Sequence, residues 1–119
     1  SGLLADLPAG LTRYIHYGQN TVSGSLADLP SSLTYYNHSG QNTVVVGASW
    51  PGSSARYVRL DGDLSGSEID QLLINLAAAV TTWTNEKSVN LTGNASSRTS
   101  ASDAAVATLE GRGVTVEVN

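Results

Sequence analysis

Residues 4–22 read LADLPAGLTRYIHYGQNTV and residues 26–44 read LADLPSSLTYYNHSGQNTV, with fourteen of the nineteen positions identical at an offset of 22 residues. A period of about 20–50 residues marks units that cannot bury their apolar side alone and do so against their neighbours. The repeat therefore predicts a solenoid rather than a sandwich or a bundle. Ser1-Gly2 aligns with Ser23-Gly24 under the same offset, so the first repeat is expected to lie uncapped at one end.

Within each unit the segment after Leu11 or Leu33 alternates, Tyr14 and His16 matching Tyr36 and His38. Period two is the signature of a strand with one covered face. Two phases are open. Either Tyr14 and His16 point inward, leaving Arg13, Ile15 and Tyr17 outside, or the reverse holds. In the second unit the reverse phase would bury Asn37 and Ser39, which favours the tyrosines and histidines inside. Gly18 and Gly40 then supply turns, and Val22 and Val44 return an apolar side chain inward. Residues 45–56 break the period and read as an irregular connection turning at Trp50-Pro51.

Beyond it, the spacing predicts longer, helix-containing units over 57–119. Strands are expected near 57–60, 88–92 and 114–118, in addition to 13–17 and 35–39. Ser65-Gly66-Ser67-Glu68 is a capping box, and Ile69, Leu72, Leu73, Leu76, Ala77, Val80 and Trp83 recur at helical spacing. A helix over 65–83 follows, and a second over 101–110 opens on a capping signal at Ser100–Asp103 and stops at Gly111 and Gly113. At 119 residues the whole is one domain, 1–119, with 1–44 as its two short repeats.

The pattern L-x-x-L-P-x-x-L-T-x-Y-x-H-x-G-Q-N-T-V resembles the leucine-rich repeat, whose core is L-x-x-L-x-L-x-x-N-x-L. That resemblance implies an α/β solenoid with one parallel strand per repeat and buried asparagines forming ladders between turns. Tyr and His take the two strand leucine seats here, and one extra residue precedes Asn20 and Asn42. Val58-x-Leu60-x-x-Asp63 and Val89-x-Leu91-x-x-Asn94 keep the family's spacing, with Asp63 standing for asparagine. Residues 64–119 also resemble the terminal unit of repeat proteins of phages and bacterial surfaces. The motifs are L-S-G-S-E-I-D-Q-L-L at 64–73, L-T-G-N at 91–94 and the stretch from Arg98 to Val116. This likeness implies an extracellular, cell-surface or virion-associated protein.

Composition narrows the partner. Charged residues are 13% of the chain and the net charge is −4, with six scattered basic residues, which argues against nucleic acid. Cysteine is absent, and no apolar run reaches membrane-spanning length, so neither a disulfide framework nor membrane insertion is expected.

His16 and His38 should be neighbours in stacked strands, but with no carboxylate beside them no metal is expected. Asp61-Gly62-Asp63-Leu64-Ser65-Gly66 copies half a calcium loop, yet Leu72 stands where the bidentate glutamate belongs. Asn37, Asn90 and Asn94 open glycosylation sequons. No nucleophile elbow, carboxylate pair or phosphate loop is present, so no enzyme activity and no cofactor are expected.

The outward sheet face would carry Arg13, Ile15, Tyr17, Tyr35, Asn37, Ser39, Arg56, Tyr57 and Arg59, a mixture suited to binding a glycan or a protein surface. The other expectation concerns the open first repeat. Leu4, Leu7, Leu11, Tyr14 and Val22 line it, and that end should be covered by upstream repeats or by further copies stacking into a fibre.

Overall fold

The structure, a computed structural model, describes residues 2–17, 21–39 and 42–119. In chain order its elements are β1 (Gly2–Leu3), β2 (Arg13–His16), β3 (Val22–Ser25), β4 (Tyr35–His38), β5 (Asn42–Val45), β6 (Ser54–Leu60), α1 (Gly66–Ala79), β7 (Thr82–Asn90), α2 (Asp103–Gly111) and β8 (Thr115–Glu117). Short 3-10 turns occupy Leu4–Asp6, Leu26–Asp28 and Ser100–Ser102. This is an α/β fold. Five parallel strands form one sheet in the order β2-β4-β6-β7-β8, and β1-β3-β5 form a second, also parallel.

The Leu-Ala-Asp-Leu-Pro run sets the shape of each short unit. Proline lacks an N–H and disfavours helical geometry in the residue before it. Leu7 and Leu29 are accordingly extended, each closing one 3-10 turn with an N–H to Leu4 or Leu26. The chain then crosses to the larger sheet, where the repeat becomes a repeat of hydrogen bonds. Thr12 O accepts from the Thr34 and Tyr35 amides, and Thr34 O accepts from those of Arg56 and Tyr57. His16 O and His38 O accept from Ser39 and Asp61 in the same way. Tyr14 thus pairs with Tyr36, Tyr36 with Val58, Val58 with Val89 and Val89 with Val116.

All five expected strands of this sheet are present, with Tyr14 and Tyr36 buried and Ile15 and Tyr17 exposed. The inward phase is therefore the observed one. The second sheet was not expected: its residues were read as turns returning one valine inward. The break at 45–56 is also narrower than expected, because Val45 closes β5 and β6 already begins at Ser54. At its turn Gly52 has φ +88, and a Cβ there would stand 2.5 Å from the Ser31 carbonyl oxygen, so glycine lets this crossing lie on the second repeat.

Helix α1 begins as predicted. Ser65 Oγ accepts from the Glu68 amide at 3.3 Å, and Glu68 Oε1 accepts from the Ser65 amide at 3.0 Å. It buries Ile69, Leu72, Leu73 and Leu76 but ends at Ala79, short of the expected residue 83. The β-branched run Val80-Thr81-Thr82 favours extended backbone and feeds β7. Trp83 is buried from a strand, its spacing from α1 being incidental, with Nε1 donating to Val80 O at 3.2 Å. Arg112 donates to Ala77 O and Val80 O at 2.7 and 3.0 Å, satisfying carbonyls that the helix end leaves open.

Two polar side chains tie the C-terminal units together. Asn94 is buried and accepts from the Leu64 amide while donating to Leu60 O and Leu91 O, a rung between successive units. Asp63 does not share this role: the backbone places Gly62 opposite Asn94 and leaves Asp63 exposed. Asn20 lies outside the described residues. Buried Asp70 accepts from the Thr99 amide, the Thr99 hydroxyl and the Ser102 hydroxyl at 2.8, 2.5 and 2.6 Å. The expected cap at Ser100–Asp103 is replaced by this arrangement, with Thr99 capping the 3-10 turn and Ser102 committed to Asp70.

Burial raises the Asp70 pKa, but the hydrogen bonds from Ser102 and Thr99 outweigh it and hold the carboxyl below its ordinary value. A carboxyl depressed on folding adds stability above its unfolded pKa, about 3.9, and loses it as pH falls through the folded value. Asp70→Asn should therefore destabilise the chain near neutrality by about 2–3 kcal/mol. That gap should close as pH falls below about 4, as read from urea unfolding midpoints. Asn94→Ala should cost a similar amount, whereas Asp63→Ala should stay within about 0.5 kcal/mol.

Candidate functional site

Because side chains in adjacent parallel strands share register, the outward face of the larger sheet is built of rows. One row runs Arg13, Tyr35, Tyr57, Ser88, Thr115, and the next runs Ile15, Asn37, Arg59, Asn90, Glu117. Arg56 joins the face through an irregularity in the β6–β7 register between Ala55 and Tyr57. There β7 swells through Asn85 and Lys87, both at positive φ. The burial of both Ala55 and Val58 leaves Arg56 and Tyr57 on the outer side together.

The first row is the organised part of the face. The Tyr35 and Tyr57 rings stack with centroids 5.1 Å apart. The Arg13 guanidinium lies 4.4 Å from the Tyr35 centroid and that of Arg56 lies 5.3 Å from it. A cation over a ring face is held by the ring quadrupole while its N–H edge stays available. Arg56 Nη2 is paired with Glu86 Oε1 at 2.5 Å, both partly exposed. Arg59 is forked onto Asp61 through Nε and Nη2 at 3.2 and 2.8 Å, which holds the guanidinium more firmly protonated than usual. Burial pushes the Tyr57 phenol up, against the lowering pull of Arg59. Arg13 has no carboxylate partner among the described residues.

Of the nine residues expected on this face, Asn37 holds its place in the outward row but is covered there by its neighbours. It sits on the central side of β2, between the long neighbours Ile15 and Arg59, and its Nδ2 donates to the Tyr17 hydroxyl at 3.0 Å. Tyr17 and Ile15 are exposed, and Tyr35, Ser39, Arg56, Tyr57 and Arg59 are half-buried. Asp61, Glu86, Ser88, Asn90 and Glu117 belong to the same surface but were not among the residues expected on it. Alternation within the expected 88–92 strand was the available signal for Ser88 and Asn90; Glu86 depends on the swelling of β7, which no pattern marked.

The residues expected at the open end differ in burial. Leu4, Tyr14 and Val22 are buried, while Leu7 and Leu11 are partly so. The 3-10 turn tucks Leu4 against Gly24, whose φ of +120 and missing side chain allow the approach. The exposed large apolar residues of this repeat are Leu3, Ile15 and Tyr17.

On the inner side, the His16 and His38 rings are neighbours with centroids 4.6 Å apart. Among the described residues no group of three His, Asp or Glu side chains gathers there. Tyr36 is fully buried, and that burial, with Tyr14 beside it, holds its phenol neutral far above the ordinary pKa. In the calcium-like loop Asp61 is taken by Arg59, and Leu72 is wholly buried. The sequon asparagines Asn37 and Asn94 are buried, and Asn90 Oδ1 accepts from the Thr92 amide and hydroxyl.

No protein-family model, curated protein or solved structure matches this chain.

Arg13 contributes a surface cation–ring contact worth about 0.5–1 kcal/mol, so Arg13→Ala should lower unfolding stability by no more than that. The same variant then serves as a binding probe whose effects are not those of misfolding.

Proposed function

We propose that this chain is a leucine-rich-repeat-like solenoid acting as a non-enzymatic, adhesin-like binding module. It would sit in an extracellular, cell-surface or virion-associated protein and read a glycan or a protein surface through the outer sheet face. Neither cofactor nor metal enters this reading. The solenoid is supported by the parallel register of like positions and by Asn94 bridging successive units as the ladder asparagine does in that family. The observation that carries the binding role is the stacked Tyr35–Tyr57 platform with Arg13 and Arg56 against it. Flat aromatic faces take the apolar faces of sugar rings or rigid side chains, and guanidinium edges fix polar groups around them.

A second reading is a structural subunit that stacks end to end into a fibre. It is favoured by a difference between the two repeats: Leu29, Leu33 and His38 are buried, while their equivalents Leu7, Leu11 and His16 are only partly so. The first repeat has an uncovered side.

Immobilised glycan panels and surface-protein panels, probed with the chain and with Arg13→Ala and Tyr57→Ala variants, test the binding role. Specific retention weakened at least tenfold by both substitutions is expected. Retention indifferent to both would remove the face from the account. Length-growing assemblies in sedimentation, with no retention on either panel, would favour the structural subunit.

A further inference from the structure

The Arg13 guanidinium is held against a ring and open along its edge. It lies 4.4 Å from the Tyr35 centroid, a contact that restrains the group without using its N–H donors. Arg13 is exposed, and no carboxylate pairs with it among the described residues. The chain has ten Asp and Glu residues against six Lys and Arg, so acids are not scarce. On this face Glu86 is taken by Arg56 and Asp61 by Arg59. A planar fork of donors, covered on one side and unpaired at its edge, matches the two oxygens of a carboxylate or sulfate.

A second cation adds to the field there. The Arg56 guanidinium approaches the same ring at 5.3 Å, so the two charges stand within about 10 Å of each other, comparable with the screening length of physiological salt. A single carboxylate, that of Glu86, answers the pair. Like charges gathered around one ring repel, and a group of opposite sign arriving there relieves the repulsion. The remainder of the two rows is different in kind. Ser88 and Thr115 follow Tyr57, and Asn90 and Glu117 follow Arg59. Beyond the tyrosine platform the surface thus offers hydroxyls, an amide and an acid, and lacks the further apolar anchors that centre a protein–protein contact. Hydroxyl-rich ligands suit such a surface.

We infer that the ligand of this face is an acidic glycan, whose carboxylate or sulfate group seats on the edge of Arg13 beside Tyr35. This rests on the binding role proposed above and names the class of ligand and its direction. The acidic group belongs at the β2 end, where Arg13 and Arg56 gather. Uncharged sugar units run from there toward β7 and β8, over Ser88, Asn90 and Thr115. Glu117 has no cationic partner among the described residues and repels a second acidic group at that end.

The test measures retention of the chain on an immobilised polyuronate, its carboxyl-reduced form, a sulfated dextran and plain dextran, with polyglutamate as an acidic polypeptide. Arg13→Gln removes the contact, Tyr57→Ala the platform, and Lys87→Gln an equal charge that does not touch Tyr35. Retention on the polyuronate or the sulfated dextran is expected, the probe that retains telling carboxylate from sulfate. It should exceed retention on the neutral probes at least tenfold, fall at least tenfold in Arg13→Gln and change only slightly in Lys87→Gln. A loss no larger in Arg13→Gln than in Lys87→Gln would reduce the effect to net charge and overturn the assignment. Retention on polyglutamate as strong as on the acidic glycans would give the face to an acidic protein and overturn it too. Retention on plain dextran that is lost in Tyr57→Ala and kept in Arg13→Gln would overturn the acidic ligand and leave the binding face standing. Absence of retention on every probe would overturn the acidic ligand, and the face with it if the wider panels show no retention that depends on Tyr57.

Discussion

Register between parallel strands is the constraint on which the rest of this molecule depends. Side chains on neighbouring strands stand beside one another, so a sequence repeat becomes a contact repeat. Tyr14 and Tyr36 stack at 5.2 Å and Trp50 meets Tyr36 edge-on at 6.0 Å, with Tyr36 wholly buried. Rings of this size dominate a small core. A slip of one residue would turn Arg13, Asn37 and Arg59 inward and expel both tyrosines, an exchange that no other contact in the sheet offsets.

The same register composes the outer face. Two tyrosines one repeat apart become a platform, and the swelling of β7 brings Arg56 against it beside Arg13. In a chain with net charge −4 and six basic residues, three of the six lie on this surface, Arg13, Arg56 and Arg59. Arg98 is instead paired with Asp103, and Arg112 closes the end of α1. The Asp70 cluster, the Asn94 rung and Arg112 fasten the helical units behind β7 and β8, and the face rests on that support.

What was legible in the sequence was what repeats or alternates. Five strands and the Ser65–Glu68 box follow from spacing, and the inward phase of Tyr14 and Tyr36 from the polarity of Asn37 and Ser39 on the other side. The second sheet was missed because a segment such as Thr-Val-Ser-Gly-Ser carries one apolar residue and reads as a turn; its strands exist through pairing with their own repeats. Trp83 extended the helical pattern by coincidence of spacing, and the β-branched residues before it decided otherwise. Asn37 stands on the outer side as the alternation says, but spacing did not show that Tyr17 would cover it and accept its hydrogen bond. Asp63 had the right spacing for a ladder residue, but the loop is one residue out of step with its neighbour.

Through-space NMR contacts from the Tyr36 ring test the stacked register most directly. The account predicts contacts from that ring to the Tyr14 ring, to the Trp50 indole and to the Val58 methyls, with ring flipping slowed by burial. Contacts from Ile15 to the Tyr36 ring, or a Tyr36 ring open to solvent, would contradict it.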